Sequence, residues 1–272
     1  MPSDIGAICS RPKAKNNMLK IVIWLVSIAA IIAALAIVAA GPGTRFGLWN
    51  FGVGLGILQM AAIPVLALAA ASLVMVMLAF WKARGLVPLA GLALLVAGGA
   101  SLVPLQMKAA AEGNPFIHDI TTDFDNPPQI IAAASAERMN PPEYLGSDPA
   151  PQGNGLTISA AQKTAFPDIT PLVLKGELGV IATRASSAIK SMGLEILPDS
   201  GRDGAQTGQS MIEAVATSTW FGFKDDFVVR ITGQEDGSVR VDIRSKSRVG
   251  VSDLGANAAR VREFAKRMRP DA

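Results

Sequence analysis

Cysteine and histidine are almost missing from this chain, which has one of each, Cys9 and His118, in 272 residues. A structural zinc site draws its four ligands largely from these two residue types, so the chain has too few donors for one. An intrachain disulfide needs a second cysteine. No neighbouring residue would activate the Cys9 thiol, so we predict no thiol chemistry and no metal site.

The motifs of several common enzyme classes are also missing. The sequence has no G-x-S-x-G nucleophile elbow, no P-loop, no H-E-x-x-H zinc motif and no C-x-x-C pair. Each of these motifs places a reactive group or a phosphate-binding loop in a defined backbone context. We therefore expect a protein that is not an enzyme of a familiar class and that uses no cofactor.

Charge is nearly absent from residues 18–107, which contain three long apolar runs. The runs extend over about 21–40, 51–81 and 86–105. At ~1.5 Å per residue, 20 helical residues span a ~30 Å hydrocarbon core. The sequence therefore predicts three transmembrane helices, with the lipid bilayer as their partner.

The basic balance of the chain belongs to the flanks of these helices. Residues 1–112 carry eight Lys or Arg against two acids, whereas residues 113–272 carry seventeen against twenty. The sequence pI of about 9.1 thus hides a slightly acidic C-terminal part. Binding to nucleic acid needs a basic footprint on the folded domain, so we expect no nucleic-acid partner.

The basic residues also predict an orientation in the membrane. Four lie in the N-terminal tail, Lys82 and Arg84 lie in the second loop, and the first loop has only Arg45. Because positive residues stay on the cytoplasmic side, residues 1–20 are predicted to be a cytoplasmic tail and 21–107 the transmembrane domain. In a bacterium, this is a multi-pass inner-membrane (cell-membrane) protein with a periplasmic C-terminal domain. A cleaved signal peptide in place of the first helix would leave that domain on the same side.

Residues 108–171 are predicted to be a proline-rich linker, with a short helix at "QIIAAASAERM". The segment 113–171 holds nine of the seventeen prolines and the single histidine, within "HDITTDFD". His118 and the aspartates near it could bind a cation, or Asp119 could orient His118 as a general base. The favoured interpretation is that His118 and Asp119 bond to backbone, because no glycine-centred loop or glutamate completes a calcium pattern.

Residues 172–272 have the pattern of an α+β domain. Apolar residues spaced three and four apart predict a helix from Glu177 that ends at Gly193. Alternating segments from Leu194, Met211, Phe227 and Val239 predict strands, and "GQEDGS" predicts a hairpin between the last two. A final helix aligns five apolar residues: Leu254, Ala258, Val261, Phe264 and Met268. The predicted fold is a two-layer antiparallel sheet covered by helices on one face.

The opposite face of this sheet is predicted to be charged, with Arg230, Arg240, Asp242, Arg244, Lys246 and Arg248. The favoured interpretation is a solvated face with cross-strand pairs, such as Arg230 with Glu213 or Asp242. The alternative is an anion-binding strip that ends at a helix N-terminus. That candidate ligand site comprises Arg244, Arg248, Ser252, Asp253 and Asn257, with Trp220 nearby. Ser252 or Asp253 can also simply cap the helix.

Four aromatic residues are concentrated in "TWFGFKDDF", residues 219–227. The favoured interpretation is that some of them fill the core at the end of the sheet. The alternative is an aromatic rim at a ligand mouth or a membrane interface.

Several long stretches resemble the family called domain of unknown function 1499. They are "IHDITTD" with "NPP", then "FPDI", "IEAVATSTWFGFKDDFVVRI" and "VDIRSKSRVGVSDLGANAARVREF", which together span about residues 116–265. The resemblance implies a domain that follows membrane helices, and it implies no activity. Val251 stands where the resemblance leads us to expect a polar or basic residue, which weakens an anion site at that position.

We therefore expect an integral inner-membrane protein with a periplasmic binding or envelope-organising domain. Its expected partners are an anionic envelope component or another membrane protein. The alternative is a hydrolase-like, membrane-anchored enzyme that uses His118 and Asp119 on an anionic substrate held by the arginines. Docking of "HDITTD" against the arginine strip would favour this alternative.

Overall fold

The computed structural model describes residues 12–152, 155–198 and 208–269. The chain divides into two compact units, residues 1–107 and 108–272. Most of the predicted cytoplasmic tail, including Cys9, lies outside the described residues.

The first unit consists of long apolar helices, as predicted. They are α1 (Pro12–Arg45), α2 (Phe51–Lys82) and α3 (Val87–Gly113), with a 3-10 turn at Arg84–Leu86 before α3. Stretches within them are long and apolar enough to cross a membrane, with hydropathies of 3.0, 2.5 and 2.2. The fold therefore contains three candidate membrane-spanning helices.

Side-chain exposure in these helices suits a lipid environment. Many large apolar side chains point outward, for example Ile63 at 79% exposure and Leu95 at 76%. The buried positions of α3 hold only small residues, namely Ala90, Ala93, Ala97, Ala100 and Ser101. In a bilayer no hydrophobic force drives helices together, and small residues let the helices pack closely.

The second unit is built on a six-stranded antiparallel sheet. Its strands are β1 (Asp119–Thr121), β2 (Leu172–Lys175), β3 (Glu195–Ile196), β4 (Gln209–Thr217), β5 (Lys224–Gly233) and β6 (Ser238–Ser247). The order is β1-β6-β5-β4-β3, and β2 also pairs with β6. Thus β1 and β2 share one edge of β6, with Thr121 opposite Arg244 and Leu172 opposite Val241. The predicted hairpin between β5 and β6 is confirmed.

In its described residues, the second unit also contains the helices α4 (Ile158–Ala165), α5 (Leu178–Ser191) and α6 (Ala256–Met268). Gly193 follows α5 with a φ of +74°, which is the helix-terminating conformation that the sequence predicts. The apolar faces of α5 and α6 pack on the sheet in one core, in which Phe227, Ile243 and Phe264 are fully buried. The predicted α+β fold class is confirmed.

The segment predicted to be a linker folds with the sheet. It supplies β1 and α4, and its residues 123–144 lie against the charged face of the sheet. The helix predicted at "QIIAAASAERM" is wrong, because this stretch forms turns. The backbone N–H groups of Ile131, Ala132 and Ala133 bond to the Glu213 carboxylate on β4, so tertiary contacts shape this backbone.

Candidate functional site

The charged face of the sheet is buried beneath residues 123–144. We call the ionic groups enclosed there the charged layer. Its cations are Arg138, Arg230, Arg240, Arg244, Lys246 and Arg248, and its acids are Asp119, Asp123, Glu213, Asp226 and Asp242. Strand alternation places the members from β5 and β6 on one face. The sequence favours the prediction that this face is solvated. That prediction is wrong, because a long irregular segment covers the face.

One half of the charged layer is balanced in charge. Arg230 contacts Asp242 and Asp123 at 2.9 Å each, and Arg240 contacts the same two carboxylates at 3.0 and 3.2 Å. The predicted cross-strand pair of Arg230 and Asp242 is thus confirmed. Two arginines meet two carboxylates, and the Arg240 side chain keeps 37% exposure.

Asp119 organises part of the other half. Its Oδ1 accepts from Arg244 Nε at 2.9 Å, and its Oδ2 accepts from Arg244 Nη2 at 2.8 Å. Lys246 Nζ lies 3.0 Å from the same Oδ2. The pairing of β1 with β6 creates this contact, since Asp119 stands opposite Lys246.

Arg244 and Lys246 also donate hydrogen bonds to backbone carbonyls. Arg244 also donates to the carbonyls of Pro128 and Pro142, and Lys246 donates to that of Glu143. Arg244 therefore binds groups of its own chain in the positions where an external anion was expected.

Asp226 organises the remaining cations. Its Oδ1 accepts from Arg248 Nε and Nη2 at 2.9 and 2.7 Å, and its Oδ2 accepts from Arg138 Nη2 at 2.7 Å. Arg138 Nε and Nη1 are buried and find no acceptor among the described residues. Sequence reasoning missed Arg138, whose one signal is that it is the only arginine between residues 113 and 171.

The candidate residues at the start of α6 make local contacts. Ser252 Oγ accepts the N–H of Leu254 at 3.2 Å, and Asp253 accepts those of Gly255 and Asn257 at 2.8 and 2.9 Å. Burial raises the pKa of Asp253. Neither predicted residue is the N-cap, which is Gly255, but Asp253 accepts an N–H of the first turn of α6 and places a carboxylate where an anionic ligand would bind.

Asn257 and Arg244 lie on opposite faces of β6. Asn257 contacts Ser245 at 2.7 Å and Ser247 at 3.0 Å, which project toward α6, whereas Arg244 projects into the charged layer. The structure therefore does not bring the six candidate ligand residues together. Neighbouring residues of a strand point to opposite faces, so closeness in sequence does not bring the candidate residues to one site.

Trp220 lies on the turn between β4 and β5. It packs edge-on against Phe221 at 5.0 Å, and Phe221 stacks on Phe223 at 4.9 Å. Phe227 is fully buried and packs against Phe264 at 5.4 Å. The favoured interpretation is confirmed for Phe221 and Phe227, which fill the interior at this end of the sheet.

His118 lies directly before β1, at the border of the charged layer. Its backbone carbonyl accepts the N–H of Ser247 at 2.9 Å and an amide N–H of Asn257 at 3.1 Å. Its Nδ1 is buried and has no partner among the described residues. Burial, together with the nearby charge of Lys246, lowers the pKa of His118. "HDITTD" is thus docked against the arginines, although Asp119 is engaged by Arg244 and Lys246.

A cavity of about 460 Å³ opens beside the charged layer, and we call it the Tyr144 cleft. Its lining includes Asn126, Gln129, Ile130, Pro142, Glu143, Tyr144 and Arg244. The guanidinium of Arg244 lies 5.5 Å from the centre of the Tyr144 ring. Burial raises the pKa of Tyr144, so its hydroxyl stays neutral. This hydroxyl is buried and has no hydrogen-bond partner among the described residues.

The position of the Tyr144 ring requires a glycine at residue 146. A Cβ on Gly146 would lie 2.2 Å from the ring, so any larger residue there would displace it.

Within the part of the chain that the structure describes, no three or more His, Cys, Asp or Glu residues are grouped to hold a metal ion.

The family model described as "Protein of unknown function (DUF1499)" matches residues 119–268. No curated protein and no solved structure matches the chain. The matched region starts at the first residue of β1 and ends at the last residue of α6, and it covers more than half of the chain. The chain therefore belongs to the DUF1499 family, whose shared region includes the segment over the charged face.

Proposed function

We propose that this protein is a membrane-anchored binding protein whose second unit holds a small uncharged ligand in the Tyr144 cleft. The observation that carries the proposal is the cleft itself, whose walls combine the Tyr144 side chain with the amides of Asn126 and Gln129. A volume of about 460 Å³ lies within the ~300–1,000 Å³ that is usual for small-ligand sites.

The residues around the cleft suit a ligand that carries hydroxyl and amide groups. Asn126 and Gln129 offer amide donors and acceptors, and Pro142 and the Tyr144 ring offer flat apolar surface. An N-acylated sugar has both kinds of surface. Asp125 and Glu143 at the walls add negative charge, and Asp119 already neutralises Arg244. The anionic envelope component expected from the sequence therefore fits this cleft less well.

Binding is tested by titrating the full chain in detergent with N-acetylglucosamine oligomers, using thermal shift and calorimetry. Tyr144→Ala and Gly146→Ala should each weaken binding at least about tenfold, because the first removes the stacking surface of the Tyr144 ring and the second displaces it. Gly179→Ala is the matched control, since a Cβ there meets nothing within 4 Å. Absence of saturable binding, or equal affinity in Tyr144→Ala, would contradict this ligand site.

We also propose that the second unit lies across the membrane from the N-terminus, which in a bacterium is the periplasm. The four basic residues of the tail, with Lys82 and Arg84 in the second loop, support this orientation. Cys9 is the only cysteine, so one thiol reports on the N-terminal side.

The orientation is tested by labelling intact cells with a membrane-impermeant maleimide. Wild type should stay unlabelled, and the double variant Cys9→Ser/Glu235→Cys should label, since Glu235 is exposed on the β5–β6 hairpin. The reverse pattern would place the second unit in the cytoplasm.

A hydrolase is the second candidate, and one observation favours it: His118 and Asp119 lie against the arginines. We rank it second because both Asp119 oxygens bind Arg244 and because His118 Nδ1 is buried. Turnover of chromogenic ester or phosphate substrates that disappears in His118→Ala would reverse this order. If wild type and His118→Ala hydrolyse these substrates at the same background rate, the hydrolase is contradicted and the proposed binding function stands.

A further inference from the structure

The part of the charged layer around Asp119 and Asp226 carries an excess of positive charge. We call it the basic cluster, and its cations are Arg138, Arg244, Lys246 and Arg248. Four cations thus meet two carboxylates, and these four side chains are between 1% and 10% exposed. The two excess positive charges are enclosed by protein.

Among the described residues, no other carboxylate contacts the basic cluster and offsets its excess positive charge. Glu213 accepts the N–H groups of residues 131–133. Glu143 touches Lys246 through its carbonyl, and its residue is exposed. Asp123 and Asp242 serve Arg230 and Arg240 in the balanced half. An unpaired charge in the interior is unfavourable unless a counter-charge accompanies it.

Arg138 is the member of the basic cluster with unused donors. Its Nη2 binds Asp226 and the carbonyl of Ala133, whereas Nε and Nη1 have no acceptor in the described part of the chain. Buried guanidinium N–H groups are nearly always bonded, because leaving them unsatisfied costs their full desolvation. The excess charge and the unused donors are independent observations, and both call for an anionic acceptor.

We propose that the basic cluster binds one small oxyanion on the guanidinium of Arg138, with Lys246 and Arg248 supplying electrostatic attraction. Arginine is suited to oxyanions because its planar donors match their geometry. Arg138 lies in the irregular covering segment, and its side chain keeps 8% exposure, so part of it reaches the surface. Phosphate has this chemistry, either as the free ion or within a glycerol phosphate headgroup. This site is separate from the Tyr144 cleft, which Arg138 does not line.

The proposal is tested on the full chain in detergent by thermal shift and calorimetry with inorganic phosphate, against chloride at equal ionic strength. Wild type should show a saturable rise in Tm with phosphate. Arg138→Gln should lose it, and Arg138→Lys, which keeps the charge, should bind at least about tenfold more weakly. Arg240→Gln is the matched control from the balanced half and should bind like wild type.

The same titration with glycerol phosphate distinguishes the two sources. Competition with inorganic phosphate would assign the site to a headgroup-type ligand, and absence of competition would assign it to the free ion. A phosphate response no larger than that of chloride, or an unchanged response in both Arg138 variants, would overturn the oxyanion site. Neither result affects binding in the Tyr144 cleft, which is measured with an uncharged ligand.

Discussion

The two faces of the sheet are buried in opposite ways. On one face, apolar side chains of β5 and β6 meet the apolar stripes of α5 and α6, and Phe227, Ile243 and Phe264 are fully enclosed. On the other face, residues of the same two strands are buried as ion pairs beneath an irregular segment. Both faces are therefore buried, and they differ in the chemistry of the side chains and of the segments that cover them.

This difference changes what each face requires of its neighbours. Apolar contacts are non-directional and tolerate modest changes in shape. A buried ion pair is sensitive to the loss of either partner, because the remaining charge stays desolvated. The charged face should thus be the less tolerant of the two, and the following substitutions test that contrast.

The largest effect is expected from Asp226→Asn, which removes a charge without changing the volume of the side chain. Arg138 and Arg248 would then lose their carboxylate, at a cost of ~3–5 kcal/mol in the free energy of unfolding. Denaturant unfolding in detergent measures it through Trp220, the only tryptophan in residues 108–272.

Two controls accompany this substitution. Ile243→Val on the apolar face should cost ~0.5–1.5 kcal/mol, and the exposed Asp148→Asn about zero. If Asp226→Asn costs no more than Ile243→Val, the two faces do not differ in the way proposed.

A smaller, pH-dependent effect is expected from His118. Burial, Lys246 and Arg244 lower its pKa in the folded chain, and Asp119 opposes them. Between about pH 6.5, the unfolded pKa, and the lower folded pKa, the unfolded chain binds more protons, so stability falls as the pH falls. His118→Gln should flatten this part of the stability curve, measured by Tm from pH 7.5 to 5. An unchanged slope would show that His118 is not buried as described.

The smallest effect is expected from a pair on the surface. Arg262 and Asp168 lie 2.6 Å apart, with about half of each side chain exposed. Solvent screens such pairs, so Arg262→Ala should cost no more than about 1 kcal/mol. The same unfolding measurement compares it with Asp226→Asn. Equal costs would mean that burial adds nothing to the ion pairs of the charged layer.

The elements that the sequence predicts well are those with local periodicity. Apolar length predicts α1 to α3, and spacing of three and four predicts α5 and its end at Gly193. Strict alternation predicts β5 and β6 and assigns Arg230 and Asp242 to one face. These patterns work because each depends only on residues within a few turns or one strand.

The candidate site is predicted less well, because its partners are distant in sequence. Asp119 meets Arg244 across 125 residues, and Arg138 meets Asp226 across 88. No periodicity marks the segment that carries Asp119 and Arg138. The helix expected at 129–139 fails for the same reason, since Glu213 from β4 holds its backbone in turns.

The sequence by itself determined the apolar helices, the long strands β4 to β6 and the two-sidedness of the sheet, because hydrophobic length and alternation are local properties. The sequence also places Arg244, Lys246 and Arg248 of "RSKSR" on one strand face. Only the tertiary structure decided that these cations are buried and which carboxylates they meet. It did so because β1 pairs with β6 and brings a distant irregular segment over that face, a contact that no local pattern encodes.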